Sequence, residues 1–260
     1  MACPRCGPHL QFVGEGEGSA VEDDDAALKA AIDALRRGQV LAVKGIGGYH
    51  LLCDARSESA VARLRERKRR PDKPLAVMYP WRGADGLEAI AADFDLEPAA
   101  REALLDPSRP IVLLRSGDAR PHGLAPGVAP GLHEVGVFLP YSPLHQLLLA
   151  GFAGPLVATS GNVSGEPVLT DVAAANARLT HVADAFLHHD RPIVRPADDS
   201  VVRVIADRAR PIRLGRGIAP LELELPQPLP YPVLATGAHL KNTVALAWGH
   251  RVVVSPHIGD

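Results

Sequence analysis

Val40-Leu41-Ala42-Val43-Lys44-Gly45-Ile46-Gly47-Gly48-Tyr49-His50-Leu51-Leu52-Cys53 is the stretch on which the fold turns. Residues 40–43 form an apolar run of the length of a short buried strand, and 49–53 read as a second extended segment. Only 44–48 lie between them, and three of those residues are glycine. A parallel crossover needs roughly a dozen residues, so no helix fits here. Elsewhere helical stretches do intervene, and strands and helices alternate irregularly. The pattern predicts an α/β fold: a twisted mixed sheet with helices on its faces, not a strictly parallel array.

Upstream, Ala26, Leu28, Ala31, Ile32 and Leu35 form an apolar stripe behind an acidic cap at 23–25. Arg36 and Arg37 suit the last turn of that helix, and Gly38 ends it. Downstream, Ser57 caps a helix that buries Ala60, Val61 and Leu64 and stops before Pro71. Further strands are expected at 75–79, 111–114, 135–139, 156–158, 193–194, 201–205 and 212–214, with helices near 98–105 and 144–149. Residues 1–20, Gly- and Glu-rich after a Cys pair, read as loosely structured. Residues 221–232 alternate Leu with Glu and then with Pro, like an extended linker. Two or three strands follow, reading as the opening of another domain. The expected division is therefore 1–20, 21–220 and 221–260.

Composition sets limits on function. The 260 residues suffice for one large α/β domain and a small appendage. Apolar residues make up 47% and aromatics only 4%, so aliphatic side chains must fill the core. A net charge of −2 gives no global field toward nucleic acid or a membrane surface. No apolar run approaches the ~20 residues of a membrane helix, and no leader is visible. Three cysteines, an odd and low number, suit a reducing compartment; the expectation is a cytoplasmic protein.

Several motifs carry chemistry. Lys68-Arg69-Arg70-Pro71-Asp72-Lys73-Pro74 places Lys68, Arg70 and Lys73 at a helix exit held extended by two prolines. Clustered cations repel unless an anion sits among them, and Arg and Lys both suit phosphate. A solvated basic helix end would give the same pattern. Thr159-Ser160-Gly161-Asn162 follows an apolar strand and can present hydroxyls, an amide and backbone N–H groups to phosphate; an ordinary polar turn would read alike. Lys44, Tyr49 and His50 flank the glycine turn, which matches neither a P-loop nor a dinucleotide fingerprint. Arg195 and Arg213 lie at strand ends, and Asp198 or Asp199 could reach a magnesium ion. Cys3 and Cys6 are half of a zinc site, short of the four ligands a structural zinc needs. Cys53 reads as a buried filler, and His188 and His189 as structural.

In order, Lys68-x-Arg70, Lys73-Pro74-Leu75 and Ser160-x-Asn162 resemble the motifs of the YrdC-like acyl-adenylate synthases. Gly136-Val137-Phe138-Leu139-Pro140-Tyr141 resembles that family's strand and Pro turn beside the nucleotide. The likeness covers roughly 25–220. The flanks resemble HypF-type hydrogenase-maturation carbamoyltransferases: Cys3-Pro4-Arg5-Cys6-Gly7-Pro8 ahead, Thr236-Gly237-Ala238-His239 and His257-Ile258-Gly259-Asp260 behind. Lys44-Gly45-Ile46-Gly47-Gly48-Tyr49-His50-Leu51 is similar to that type and departs from the Thr-x-Tyr-Gly-Leu of threonylcarbamoyl enzymes. The likeness makes 1–20 a remnant of a zinc-finger region and 221–260 the start of a C-terminal transferase domain.

The resemblance implies a YrdC-like sheet with a concave basic cleft. It implies ATP and Mg2+ as cofactors, zinc in the longer protein, carbamoyl phosphate or carbamate as substrate, and a HypE-type maturation protein as acceptor. The implied chemistry is carbamoyl-adenylate formation. Lys68 and Arg70 would be catalytic, and Lys73, Thr159, Ser160, Asn162, Tyr141, Arg195 and Arg213 would bind the nucleotide. Two competitors remain: threonylcarbamoyl-AMP synthesis for tRNA modification, and an RNA-binding module built on the basic run 63–73. Low net charge and few aromatics weigh against RNA.

Overall fold

A computed structural model describes residues 6–14, 20–116, 123–162, 165–239 and 242–258. The elements in chain order are β1 (Leu10–Val13), α1 (Asp24–Arg36), β2 (Leu41–Lys44), β3 (Tyr49–Asp54), α2 (Glu58–Lys68), β4 (Ala76–Met78), α3 (Glu88–Asp93), α4 (Pro98–Leu105), β5 (Ile111–Arg115), β6 (Glu134–Phe138), α5 (Pro143–Phe152), β7 (Leu156–Ser160), α6 (Val172–Arg178), β8 (Ala185–His189), β9 (Val201–Ile205), β10 (Arg208–Arg213), β11 (Leu221–Ala235) and β12 (Ala245–Val254). The first ten strands form one sheet in the order β1-β8-β2-β3-β7-β4-β6-β5-β9-β10. It is mixed: β2/β8, β4/β6 and β5/β9 run parallel, the other pairs antiparallel. The short link at 44–48 makes β2 and β3 an antiparallel hairpin.

Helices cover both faces. On one side α2, α3, α4 and α6 supply Ala60, Leu64, Ile90, Leu104 and Ala175 to a core against Leu51, Cys53, Val77, Val112 and Val157. On the other, α1 and α5 pack over Leu41, Val43, Leu52, Met78, Phe138 and Leu156. The side chain of Asp23 accepts from Ala26 N and that of Ser57 from Ala60 N, as N-caps do. Burial pushes the Cys53 thiol up to about 12, consistent with an inert filler. Because α1 and α5 cover only part of their face, the rest of the sheet surface is left open.

Three expectations are corrected. Residues 10–13 are a strand paired with β8, not loose chain. Residues 193–194 lie in a loop, where Pro192 and Pro196 break a ladder. Residues 221–232 are not a linker but most of β11, which pairs antiparallel with β12 in a separate two-stranded sheet. Proline explains both the expectation and the error. Pro226, Pro228, Pro230 and Pro232 keep the backbone extended but supply no N–H, and the register shifts between Glu224 and Val233. The flanks on either side pair regularly. His257 ties the hairpin to the main sheet: its N–H donates to Leu214 O (2.8 Å) and its Nδ1 accepts from Leu214 N (2.9 Å).

Candidate functional site: a trough across the open sheet face

A cavity of about 1360 Å³ lies on the face left bare by α1 and α5. Strand register fixes its floor. Ala158 of β7 stands opposite Ala76 of β4, and Leu113 of β5 opposite both Gly136 of β6 and Arg203 of β9. A Cβ on Gly136 would sit 3.8 Å from that of Ala76 and only 2.7 Å from Ile111 Cγ2. Three adjacent strands thus present small residues, and a trough results. At one end His50 stands opposite Ser160. At the other Arg115 stands opposite Glu134, whose carboxylate accepts from Arg203 Nη2 at 2.6 Å.

Lys68 and Arg70 both reach this cavity from the end of α2, where Arg69 closes the helix in the left-handed region (φ 51°). Their surroundings differ. The Lys68 ammonium donates to Ser160 O, to Asn162 O (3.1 Å) and to Asn162 Oδ1 (2.9 Å). Ser160 Oγ donates to the same Oδ1 (2.7 Å), and Asn162 Nδ2 donates to Glu166 O. Lys68 therefore holds the Ser160-Gly161-Asn162 turn together while lining the cavity. Gly161 is needed there, since a Cβ would fall 2.5 Å from Tyr49 Cβ.

Arg70 is less well served. One guanidinium nitrogen donates to Pro74 O (2.9 Å), while its buried Nε has no partner among the described residues. Burial, with Arg65 and Arg213 close by, lowers its pKa, so the cation is held where it is electrostatically unfavourable. Arg65 satisfies itself on backbone carbonyls of Gly127, Arg70, Pro71 and Lys73, which shapes the 70–74 loop. Lys73 and Arg213 line the same wall, and Arg213 Nε donates to Asp199 O (2.8 Å). Together Arg70, Lys73 and Arg213 make this side of the cavity basic.

The His50 end is closed and polar. Asp199 Oδ1 accepts from Arg216 Nε (3.2 Å) and Nη2 (3.1 Å); its Oδ2 lies 3.6 Å from His50 Nε2. Arg216 stacks on the Tyr141 ring at 3.6 Å, and the Tyr141 hydroxyl is 3.4 Å from His50 Nδ1. Burial lowers the His50 pKa despite Asp199, so the imidazole is neutral at neutral pH. Burial and Asp199 raise Tyr141, which keeps its proton. Asp199 is thereby tied to Arg216 and His50, and Asp198 lines the cavity beside it. Among the described residues no three His, Cys, Asp or Glu side chains are grouped to hold a metal. Cys3 lies outside the described residues, and Cys6 is an exposed free thiol.

Of the other expected residues, Thr159, Ser160, Asn162, Tyr141 and His50 line the cavity. Lys44, Tyr49 and Arg195 do not. Lys44 Nζ donates to His189 O (3.0 Å), and burial lowers its pKa. Tyr49 is fully buried on the opposite face, its hydroxyl 2.7 Å from His188 Nδ1. β-Strand alternation sends Tyr49 and His50 to opposite sides, so only one of them can face the trough. Arg195 is exposed in the 190–199 loop. The turn glycines pack rather than cradle. A Cβ on Gly47 would lie 2.5 Å from Ala197 O, and one on Gly48 would collide with Val168. Sequence reading missed Ala76, Leu113, Arg115, Glu134 and Arg203, and named Gly136 only through the resemblance. The signal was available in the alternate positions 111, 113, 115 and 134, 136 and 201, 203.

A large twisted mixed sheet with a basic trough on one face defines the class: an α/β fold with a site suited to a phosphorylated ligand. Residues 33–215 match the Sua5/YciO/YrdC family, described as Telomere recombination, and the chain belongs to that family. Residues 229–260, the end of β11 and all of β12, match the HypF Kae1-like domain. The chain is 46% identical over 244 residues to a carbamoyltransferase HypF of Synechocystis, covering 94% of this chain and 31% of the relative. A crystal structure of full-length HypF in the phosphate- and nucleotide-bound form superposes with a TM-score of 0.87 at 41% identity, over 100% of this chain and 33% of that one. A threonylcarbamoyl-AMP synthase of Xanthomonas euvesicatoria is 34% identical, over 63% of this chain and 86% of the relative. The chain thus spans about a third of the length of the HypF relatives it matches. No helix among the described residues is long and apolar enough to cross a membrane.

Proposed function

We propose that the trough forms carbamoyl-adenylate from ATP and carbamate released from carbamoyl phosphate. In a longer protein this is the middle step of carbamoyl transfer to a HypE-type acceptor, in making the cyanide ligand of [NiFe]-hydrogenase in the cytoplasm. The observation that carries the reading is Arg70: a half-buried guanidinium whose buried Nε has no partner among the described residues, beside two further arginines. A triphosphate supplies the missing acceptors. A carbamate oxygen then bonds to the α-phosphorus, the bond from that phosphorus to the bridging oxygen breaks, and pyrophosphate leaves with the electron pair. Charge accumulates on phosphate oxygens, so fixed cations suffice and no protein nucleophile is required. Arg70, Lys73 and Arg213 hold phosphates, while Lys68 keeps the Ser160–Asn162 turn in place. Magnesium would arrive on the phosphates of ATP.

The test is ATP–pyrophosphate exchange driven by carbamoyl phosphate. Arg70→Ala is expected to lower it by about 10²–10³. Exchange at the wild-type rate in that variant would sink the assignment. The 34% identity to a threonylcarbamoyl-AMP synthase favours a second reading, which predicts that threonine with bicarbonate drives AMP formation.

A further inference from the structure

We propose that His50 limits the acyl group: the trough takes an acid no larger than carbamate because this imidazole fills its closed end. The inference rests on the adenylate-forming reading and adds to it the size of the acid. The two ends of the trough differ in access to water. At one, the side chains of His50 and Asp199 are each 12% exposed. At the other, Arg115 and His133 are exposed and Leu132 is 47% exposed. Carbamate and its mixed anhydride with AMP are both destroyed by water, so they belong at the closed end; the rest of a nucleotide tolerates the open one. Cross-strand pairing with Ser160 puts the His50 ring on the floor at that end, beside the turn that Lys68 holds.

The ring cannot swing aside. Asp199 faces its Nε2, the Tyr141 hydroxyl faces its nitrogens, and the His145 ring lies tilted against it at 5.5 Å. Asp199 is itself fixed by Arg216, and Arg216 by its stack on Tyr141 and by the carbonyls of Ser108 and Arg109. Gly48 and Val168, in mutual contact, stand on the same lining. An acid bearing an amino-acid side chain on its nitrogen would need the volume that the imidazole occupies.

Two non-reactive adenylate mimics test this by calorimetry on the 260-residue chain: 5′-O-(N-carbamoylsulfamoyl)adenosine, with a small acyl end, and its N-threonylcarbamoyl counterpart, with a bulky one. The wild type is expected to prefer the small mimic by about tenfold or more, and His50→Gly or His50→Ala to erase that preference. His50→Gln, similar in size, is expected to keep it. A general folding defect weakens both mimics together and leaves the ratio alone. Equal affinity in the wild type overturns the inference, and so does an unchanged ratio in both small variants. If the wild type binds neither mimic nor ATP, the adenylate reading falls and takes this inference with it. If ATP and the small mimic bind and only the ratio fails to move, that reading stands and the role of His50 is rejected.

Discussion

Lys68 and Arg70 are two residues apart and line one cavity, yet the protein treats them oppositely. Lys68 is surrounded by acceptors from the Ser160–Asn162 turn, and its charge is spent inside the fold. Arg70 keeps an unpartnered buried nitrogen and two arginine neighbours. A compensated buried cation builds scaffold, whereas an uncompensated one waits for an anion. A basic cluster in sequence therefore mixes two kinds of residue, and only the acceptors around each can separate them.

The largest expected effects test that separation directly. Lys68→Ala and Arg70→Ala should each lower pyrophosphate exchange by about 10²–10³. Their stabilities should part. Removing Lys68 takes its donor from Asn162 O, while Ser160 O still accepts from Asn162 N and Asn162 Oδ1 from Ser160 Oγ, so the cost should be about 1–3 kcal/mol. Removing Arg70 relieves repulsion with Arg65 and Arg213, so its urea midpoint should match or exceed the wild type. Pyrophosphate should raise the melting temperature of the wild type and not of Arg70→Ala. Equal destabilisation by the two changes would erase the distinction.

Acid provides the next test, because buried imidazoles belong with the scaffold. Burial, then Lys44 and His189, lowers His188 from 6.5 to about 4, and burial lowers His50 and His145 as well. The unfolded chain protonates these rings near their ordinary value; the folded one does not until well below it. Between pH 6.5 and about 4 the unfolded state binds more protons, so stability should fall as pH falls through that window and be level above it. For His188 alone the full loss is on the order of 3 kcal/mol. Urea midpoints across that range should drop steeply in the wild type and less steeply in His188→Gln. A flat profile would mean these rings are hydrated.

A smaller effect is expected at the glycine turn. Gly48→Ala pushes a methyl into Val168 and should cost about 1–3 kcal/mol, read as a lowered urea midpoint. Gly38→Ala meets no atom within 4 Å, but its φ of +75° still strains an alanine, at about 1 kcal/mol or less.

How much of this was legible in the sequence follows from the range of each cause. Helix caps at Asp23 and Ser57 and the hairpin across 44–48 are local, and the residues announce them. The proline-spaced β11 misleads because its pairing partner lies beyond a separate loop. In the site, Lys68, Arg70, Ser160 and Asn162 stood out by residue type. Their division of labour did not, because Asn162 Oδ1 and Lys68 Nζ meet from 94 residues apart. The trough floor was hidden for another reason: Ala76, Ala158 and Gly136 function by being small, and small residues carry no chemical signature.

Arginine supplies the smallest and sharpest contrast. Arg195 and Arg213 were both expected to bind the nucleotide. Arg213 lines it and donates to Asp199 O, the neighbour of the Asp198 carbonyl that accepts from Arg216 N. Arg195 is exposed, four residues before Asp199 on a loop bracketed by prolines, with its side chain outside the lining. A surface substitution of that kind moves free energies by about 0.5 kcal/mol or less, so Arg195→Ala should leave pyrophosphate exchange within about twofold of wild type. Arg213→Ala should behave like Arg70→Ala, with activity lost and fold kept. A tenfold loss in Arg195→Ala would mean that the 190–199 loop turns inward when ATP binds. The wall of the trough would then include a residue that strand register does not place, and uncompensated charge would have to be sought on loops as well as on the sheet.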